Sequence, residues 1–120
     1  MFFQRDLLMR QIEALSRWLA RRMLDDAKEQ PPEHEIEAAA GLSLDVAATL
    51  PPNTIASLVD LQTSPEGPSR LLLLGLGLLA RAEDGDDEIL AERARSLVWR
   101  AVDARPELLT EDVHSLLRDA

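Results

Sequence analysis

The stretch SRLLLLGLGLLARA, residues 69–82, decides the fold of this 120-residue chain. It is apolar on nearly every side, which is typical of a helix surrounded by other elements. We therefore expect a central helix from Arg70 to about Ala82, capped by Ser69. The unbroken apolar run, Leu71 to Ala80, is about half the length of a membrane span, so no membrane segment is expected.

Gly75 and Gly77 give this stretch the loose glycine pattern of dinucleotide-binding sites. In those sites the glycines turn the chain between a strand and a helix, and the pyrophosphate lies at the helix N-terminus. No strand-like sequence precedes residue 75. Close packing of a neighbouring helix against these small residues is the better interpretation.

Residues 4–29 form the clearest amphipathic helix outside this centre. Its apolar positions recur three or four residues apart and form one stripe: Leu8, Ile12, Leu15, Leu19 and Met23. Leu7 and Trp18 widen that stripe. The opposite side carries a basic ridge, which we define as Arg10, Arg17, Arg21 and Lys28. Pro31-Pro32 should end the helix, because the residue before a proline is biased away from helical angles.

Further helices are expected on both sides of the centre. Before it, residues 33–41 and 53–62 read as helices, with a short helical turn at 44–50 and a linker at 63–68. After it, Asp86 or Asp87 can cap a helix that continues to about Ala104. The inner stripe of that helix should be Leu90, Ala94, Leu97 and Ala101. Pro106 marks the next break, and Thr110 begins a final helix.

Trp99 points away from that inner stripe. We expect the final helix, residues 111–119, to cover the indole. If the helix does not, Trp99 becomes a candidate interface residue, because exposed tryptophan is enriched at binding hot spots.

Charge and composition restrict the function classes. The chain has no cysteine and a net charge of −9, with six basic and five acidic side chains in residues 1–30 and seven and seventeen in the rest. Such an acidic body argues against nucleic acid, since phosphate binding needs a concentrated positive field. The same negative charge argues against binding to anionic membrane surfaces. The N-terminus lacks the pattern of a signal peptide, so we expect a cytoplasmic protein.

No catalytic or metal constellation can be assembled from the sequence. His34-Glu35-Ile36-Glu37-Ala38 begins like a zinc-protease helix but lacks the second histidine. The acidic run at 83–88 lacks the glycine and the bidentate acid of a calcium loop when counted from Asp84, and fits a polar turn better. His114 lacks the neighbours of a phosphotransfer histidine. We expect no catalytic residue, cofactor or metal, and no enzyme activity.

Two resemblances add to this reading. The opening MFFQRDLLMRQIE, residues 1–13, resembles an uncharacterised family of small bacterial helical proteins, which implies a bacterial cytoplasmic protein and no known activity. Residues 69–106 look like a tetratricopeptide-type helical hairpin. Leu76-Gly77 is similar to the repeat's Leu-Gly pair, and its second helix is matched by Ala94, Val98, Ala101 and Pro106.

The sequence therefore predicts one all-α domain over residues 1–120, a tetratricopeptide-like right-handed stack or bundle of five to six helices. Residues 1–30 hold the long amphipathic helix, and 69–120 hold the repeat-like hairpin and a capping helix. The predicted function is a non-catalytic protein-interaction or adaptor role, with a homodimer as one possible assembly. The alternative is a bundle that binds a small molecule between its helices. The candidate contact residues are Leu7, Arg10, Arg17, Trp18, Arg21 and Trp99.

Overall fold

The chain is all-α, as the sequence predicted. The computed structural model describes residues 9, 10, 12–14, 17, 33–60 and 65–118, and this described part contains helices and turns but no strand. Residues 9, 10, 12–14 and 17 are helical. The six α-helices with defined bounds are α1 (Glu33–Ala40), α2 (Leu44–Thr49), α3 (Pro52–Leu58), α4 (Gly67–Gly85), α5 (Glu88–Ala104) and α6 (Glu111–Arg118). A short 3-10 helix, Pro106–Leu108, lies between α5 and α6.

The central helix α4 is longer at both ends than predicted. Ser69 does not cap it: the helix already begins at Gly67, and Ser69 is buried inside the first turn. Pro68 fits there because the first-turn amides of a helix have no partner within the helix. At the other end α4 continues to Gly85, and Asp86 then stops it in the left-handed conformation, φ 52°.

Residues 71–80 of α4 are all buried, because helices cover it from two sides. Its most extensive contact is with α5, and α1 and α2 pack elsewhere on its surface. The glycines allow these close approaches. A Cβ atom at Gly75 would lie 2.8 Å from Val98 Cγ2 on α5, whereas one at Gly77 would lie 3.0 Å from Leu44 Cδ2 on α2. The glycine pair is therefore a packing feature of a helix.

The elements before α4 are short and well capped. α1 ends at Gly41, which takes φ 75° as a C-terminal cap should. The helical turn at 44–50 is a real helix, α2, with Ser43 Oγ accepting a 3.1 Å hydrogen bond from the Asp45 amide. α3 is shorter than the predicted 53–62, because Val59 and Asp60 form a turn in which Asp60 has φ 54°.

All six helices contribute to one apolar core. Of the predicted α5 stripe, Ala94, Leu97 and Ala101 are buried, and Leu90 is half-buried at the edge. From the N-terminal segment, Ile12 is completely buried in the same core. The other members of its predicted stripe lie outside the described residues.

Candidate interaction surface

Trp99 is exposed, so the expectation that the final helix covers it is wrong. Its side chain lies on α5 with 46% of its surface exposed. The reason is that α6 uses its apolar residues in the shared core, where Val113, Leu116 and Leu117 are buried.

Acidic residues accompany Trp99 on the outer side of α5. Glu92 and Asp103 lie seven residues before and four residues after it, spacings that place side chains on one side of a helix. Glu88 continues the row one turn earlier. We call these four residues, Glu88, Glu92, Trp99 and Asp103, the α5 face. All four are exposed, and neither the Glu92 nor the Asp103 carboxylate forms a hydrogen bond or ion pair with any described residue.

Two arginines of α5 do not offset this negative charge, because they are committed to other helices. Arg93 donates hydrogen bonds to the backbone oxygens of Ala48, at 3.1 Å, and Leu50, beyond the end of α2. Arg100 donates to Asn53 Oδ1 on α3. The guanidinium groups thus point toward α2 and α3, while the α5 face points toward solvent.

A cleft of about 200 Å³ lies beside the turn between α4 and α5. Its lining is mostly charged: Ala82, Glu83, Asp86, Asp87, Glu88, Ala91 and Arg95. Arg95 lies three residues after Glu92 and four before Trp99, on the same side of α5, and it shares this cleft with four carboxylates. Asp87 caps α5, with Oδ1 accepting a 3.1 Å hydrogen bond from the Leu90 amide. The predicted helix cap is found, but the turn is shorter than the acidic run at 83–88, because residues 83–85 still belong to α4 and Glu88 begins α5.

Metal-binding geometry is absent from the described residues, in which no group of three or more His, Asp or Glu side chains is placed to hold an ion. His34 and His114 are both exposed and lie on different helices, α1 and α6.

Part of the predicted N-terminal surface is described. Arg10 and Arg17 are exposed on helical backbone, and the exposed Glu13 and Ala14 lie between them. The buried Ile12 shows that the opposite side of this segment meets the core. Neither arginine forms an ion pair or side-chain hydrogen bond with a described residue. Leu7, Trp18 and Arg21 lie outside the described residues.

The sequence reading missed an ion cluster that Arg81 of α4 forms with two acids. Arg81 Nε and Nη2 donate to the two carboxylate oxygens of Glu33 at 2.8 and 3.1 Å, and Nη1 donates to Asp45 Oδ1 at 2.7 Å. The hydrogen bond from Arg81 is the main reason why the pKa of Glu33 lies below its ordinary value. The same pairing with Glu33 raises the pKa of Arg81. The sequence signal of this ion cluster is a single cation, Arg81, near the end of an apolar helix. Such a cation needs an anion close to it.

Comparisons with known proteins give no match, so a functional proposal has to rest on these surfaces. The chain matches no protein-family model, no curated protein and no solved structure. Among the described helices, none combines the length and the apolar character that crossing a membrane requires.

Proposed function

We propose that this chain is a non-catalytic protein-interaction domain of the bacterial cytoplasm, and that its α5 face forms the contact. The observation that carries the proposal is the exposure of Trp99, at 46%, in a row of acidic side chains that have no partner among the described residues.

A large aromatic residue in water is a feature to be explained, because burying its ring is strongly favourable. Tryptophan is among the residues that contribute most to binding when a partner covers them, and a polar rim that excludes water usually surrounds such anchors. Trp99 supplies the anchor and the acids supply the rim. Ile89, also exposed on α5, adds apolar surface toward the beginning of the helix.

The alternative of a small-molecule bundle requires an enclosed apolar pocket with a few convergent polar groups. The cleft beside the α4–α5 turn is lined mostly by charged side chains and does not have this character. This cleft therefore gives the alternative no support, and the exposed Trp99 is why we favour a protein partner over a small ligand.

Affinity capture of the tagged full chain from its source cells tests this function. We expect Trp99→Asp to lose a partner that the wild type retains, because the substitution replaces the apolar anchor with a charge. The matched control is Leu58→Asp, which places the same charge on an exposed apolar position of α3. Circular dichroism first establishes that both variants keep the wild-type helicity.

Retention of every wild-type partner by folded Trp99→Asp would contradict the proposed surface. Equal losses in both variants would also contradict it, because an added negative charge alone would then explain the effect.

A further inference from the structure

The described residues of the basic ridge, Arg10 and Arg17, and the α5 face have opposite charges and are both exposed. Arg10 and Arg17 carry positive charge on the N-terminal helical segment, whereas Glu92 and Asp103 carry negative charge on α5. None of these four side chains has an ion-pair partner among the described residues. The two surfaces are thus unused within the described part of one chain.

Their spacings also match. Arg10 and Arg17 are seven residues apart, as are Glu92 and Trp99, and seven residues span about 10.5 Å of an α-helix. When the two helices lie side by side in parallel, Arg10 faces Glu92 and Arg17 faces Trp99. A guanidinium over an indole forms a favourable cation–π contact within about 6 Å of the ring centre.

Between these pairs the parallel register also places Glu13 opposite Arg95, two side chains of opposite charge, and next to them it places two small residues. Ala14 follows Arg10 by four positions, and Ser96 follows Glu92 by four, so the same parallel register brings them together. Small side chains at a crossing let two helices approach closely, which shortens the distance between the charged pairs on either side.

We infer that the partner of the α5 face is a second copy of this chain, which docks its basic ridge through Arg10 and Arg17. This inference rests on the proposed function and specifies its partner. Two chains that each carry a charge of −9 repel one another at long range, so association requires a local contact of opposite charges. A two-fold axis would form the contact twice, once in each direction, as closed dimers do.

Sedimentation analysis of the full chain tests the inference by charge reversal. We expect the wild-type mass to rise with concentration from 13.3 kDa toward twice that value. Arg10→Glu/Arg17→Glu should weaken self-association about tenfold or more, and so should Glu92→Arg/Asp103→Arg, because each brings like charges together. A one-to-one mixture of the two variants should associate again, since both contacts in the mixed pair then join opposite charges.

Matched controls separate the contact from net charge and from folding. Glu35→Arg/Glu107→Arg changes the net charge as much as the α5 reversal does, at exposed positions outside the α5 face. It should not weaken association. Arg10→Gln/Arg17→Gln removes the ridge charges without reversing them and should weaken association less than the glutamate variant. Circular dichroism verifies the helicity of each.

Three results would overturn the inference: a monomeric wild type up to about 1 mM, association that survives both reversals, or a mixture that stays monomeric. Self-association and capture from cells are separate readouts. A monomeric wild type with Trp99-dependent capture overturns the second-copy inference and leaves the interaction function standing. A monomeric wild type together with capture that does not depend on Trp99 overturns the proposed function as well.

Discussion

Gly75 and Gly77 lie on opposite sides of α4 and leave different amounts of space for a side chain. A Cβ atom at Gly75 would meet backbone of α5, at 3.1 Å from the Ala94 oxygen and 3.2 Å from the Val98 nitrogen. A Cβ atom at Gly77 would meet only the ends of the Leu44 and Ile36 side chains, at 3.0 and 3.3 Å. Side-chain ends can rotate away, but a neighbouring helix backbone has to move as a unit.

Gly75→Ala should therefore destabilise the fold, and Gly77→Ala should not. Overpacking costs about 1–3 kcal/mol, and we expect the upper part of this range at position 75, where it exceeds the ~1 kcal/mol gained in helix propensity. At position 77 the two effects should nearly cancel. Urea unfolding followed by circular dichroism measures both. Equal stabilities of the two variants would show that α5 is not held against position 75.

At the scale of the element, helix ends depend on side chains that satisfy free backbone groups. The first amides of an α-helix have no partner within the helix. Asp87 accepts from one of them in α5, and Thr110 Oγ1 accepts from the Val113 amide at the start of α6. Glu37 of α1 accepts a 2.8 Å hydrogen bond from the Leu44 amide, so α1 helps to cap α2.

Asp87→Ala should lower the free energy of unfolding by about 1 kcal/mol, the usual contribution of an N-cap carboxylate. Its neighbour Asp86→Asn is the matched control, because asparagine also tolerates the left-handed conformation and the side chain of Asp86 does not cap α5. The control should stay within about 0.5 kcal/mol of the wild type. Thermal or urea unfolding provides the measurement, and an unaffected Asp87→Ala variant would refute the role of the cap.

At the scale of the whole molecule, arginines of α4 and α5 bind residues of α1, α2 and α3. These bonds help to hold the three shorter helices against α4 and α5. Four arginines bond to residues 36 to 48 positions away in the chain. Arg81 binds α1 and α2, Arg93 binds the end of α2, and Arg100 binds α3. Arg105, at the end of α5, donates to the Pro65 carbonyl. Arg81, Arg93 and Arg100 thus tie helices together, and Arg105 ties the end of α5 to the segment before α4.

The Arg81–Glu33 pair should make stability depend on pH in the acidic range. The pKa of Glu33 is lower in the folded chain than its ordinary value of 4.5, mainly because of the hydrogen bond from Arg81. The pair therefore stabilises the fold above pH 4.5, and this contribution is lost as the pH falls through the folded-state pKa. We expect Glu33→Gln to melt below the wild type at neutral pH, with the gap closing as the pH falls below 4.5.

Melting curves across this pH range compare that variant with Glu35→Gln, an exposed glutamate of the same helical turn. The control should follow the wild type at every pH. A gap that stays constant with pH for Glu33→Gln would mean that the lost interaction does not involve the charge of the carboxylate.

Local sequence was enough to predict the features that depend on residues within about four positions. The helical periodicity placed α1 and α5 and the burial of Ala94, Leu97 and Ala101. Of the two predicted capping residues, Asp86 and Asp87, it is Asp87 that caps α5, and the final helix starts after Thr110 as predicted; both side chains bond to an amide three residues away. The continuous apolar surface of residues 71–80 indicated their position at the centre of the fold. It also predicted that Gly75 and Gly77, within this stretch, let a neighbouring helix pack closely.

Tertiary structure decided the features that depend on how the helices are placed relative to one another. The sequence could not show that α6 uses its apolar residues in the core and leaves Trp99 exposed. Nor could it pair Arg81 with Glu33 and Asp45, which are 48 and 36 positions away. Periodicity states which side of a helix is apolar, because that depends on near neighbours. Which neighbour covers each side depends on the three-dimensional packing of all the helices, and the candidate interaction surface is what that packing leaves uncovered.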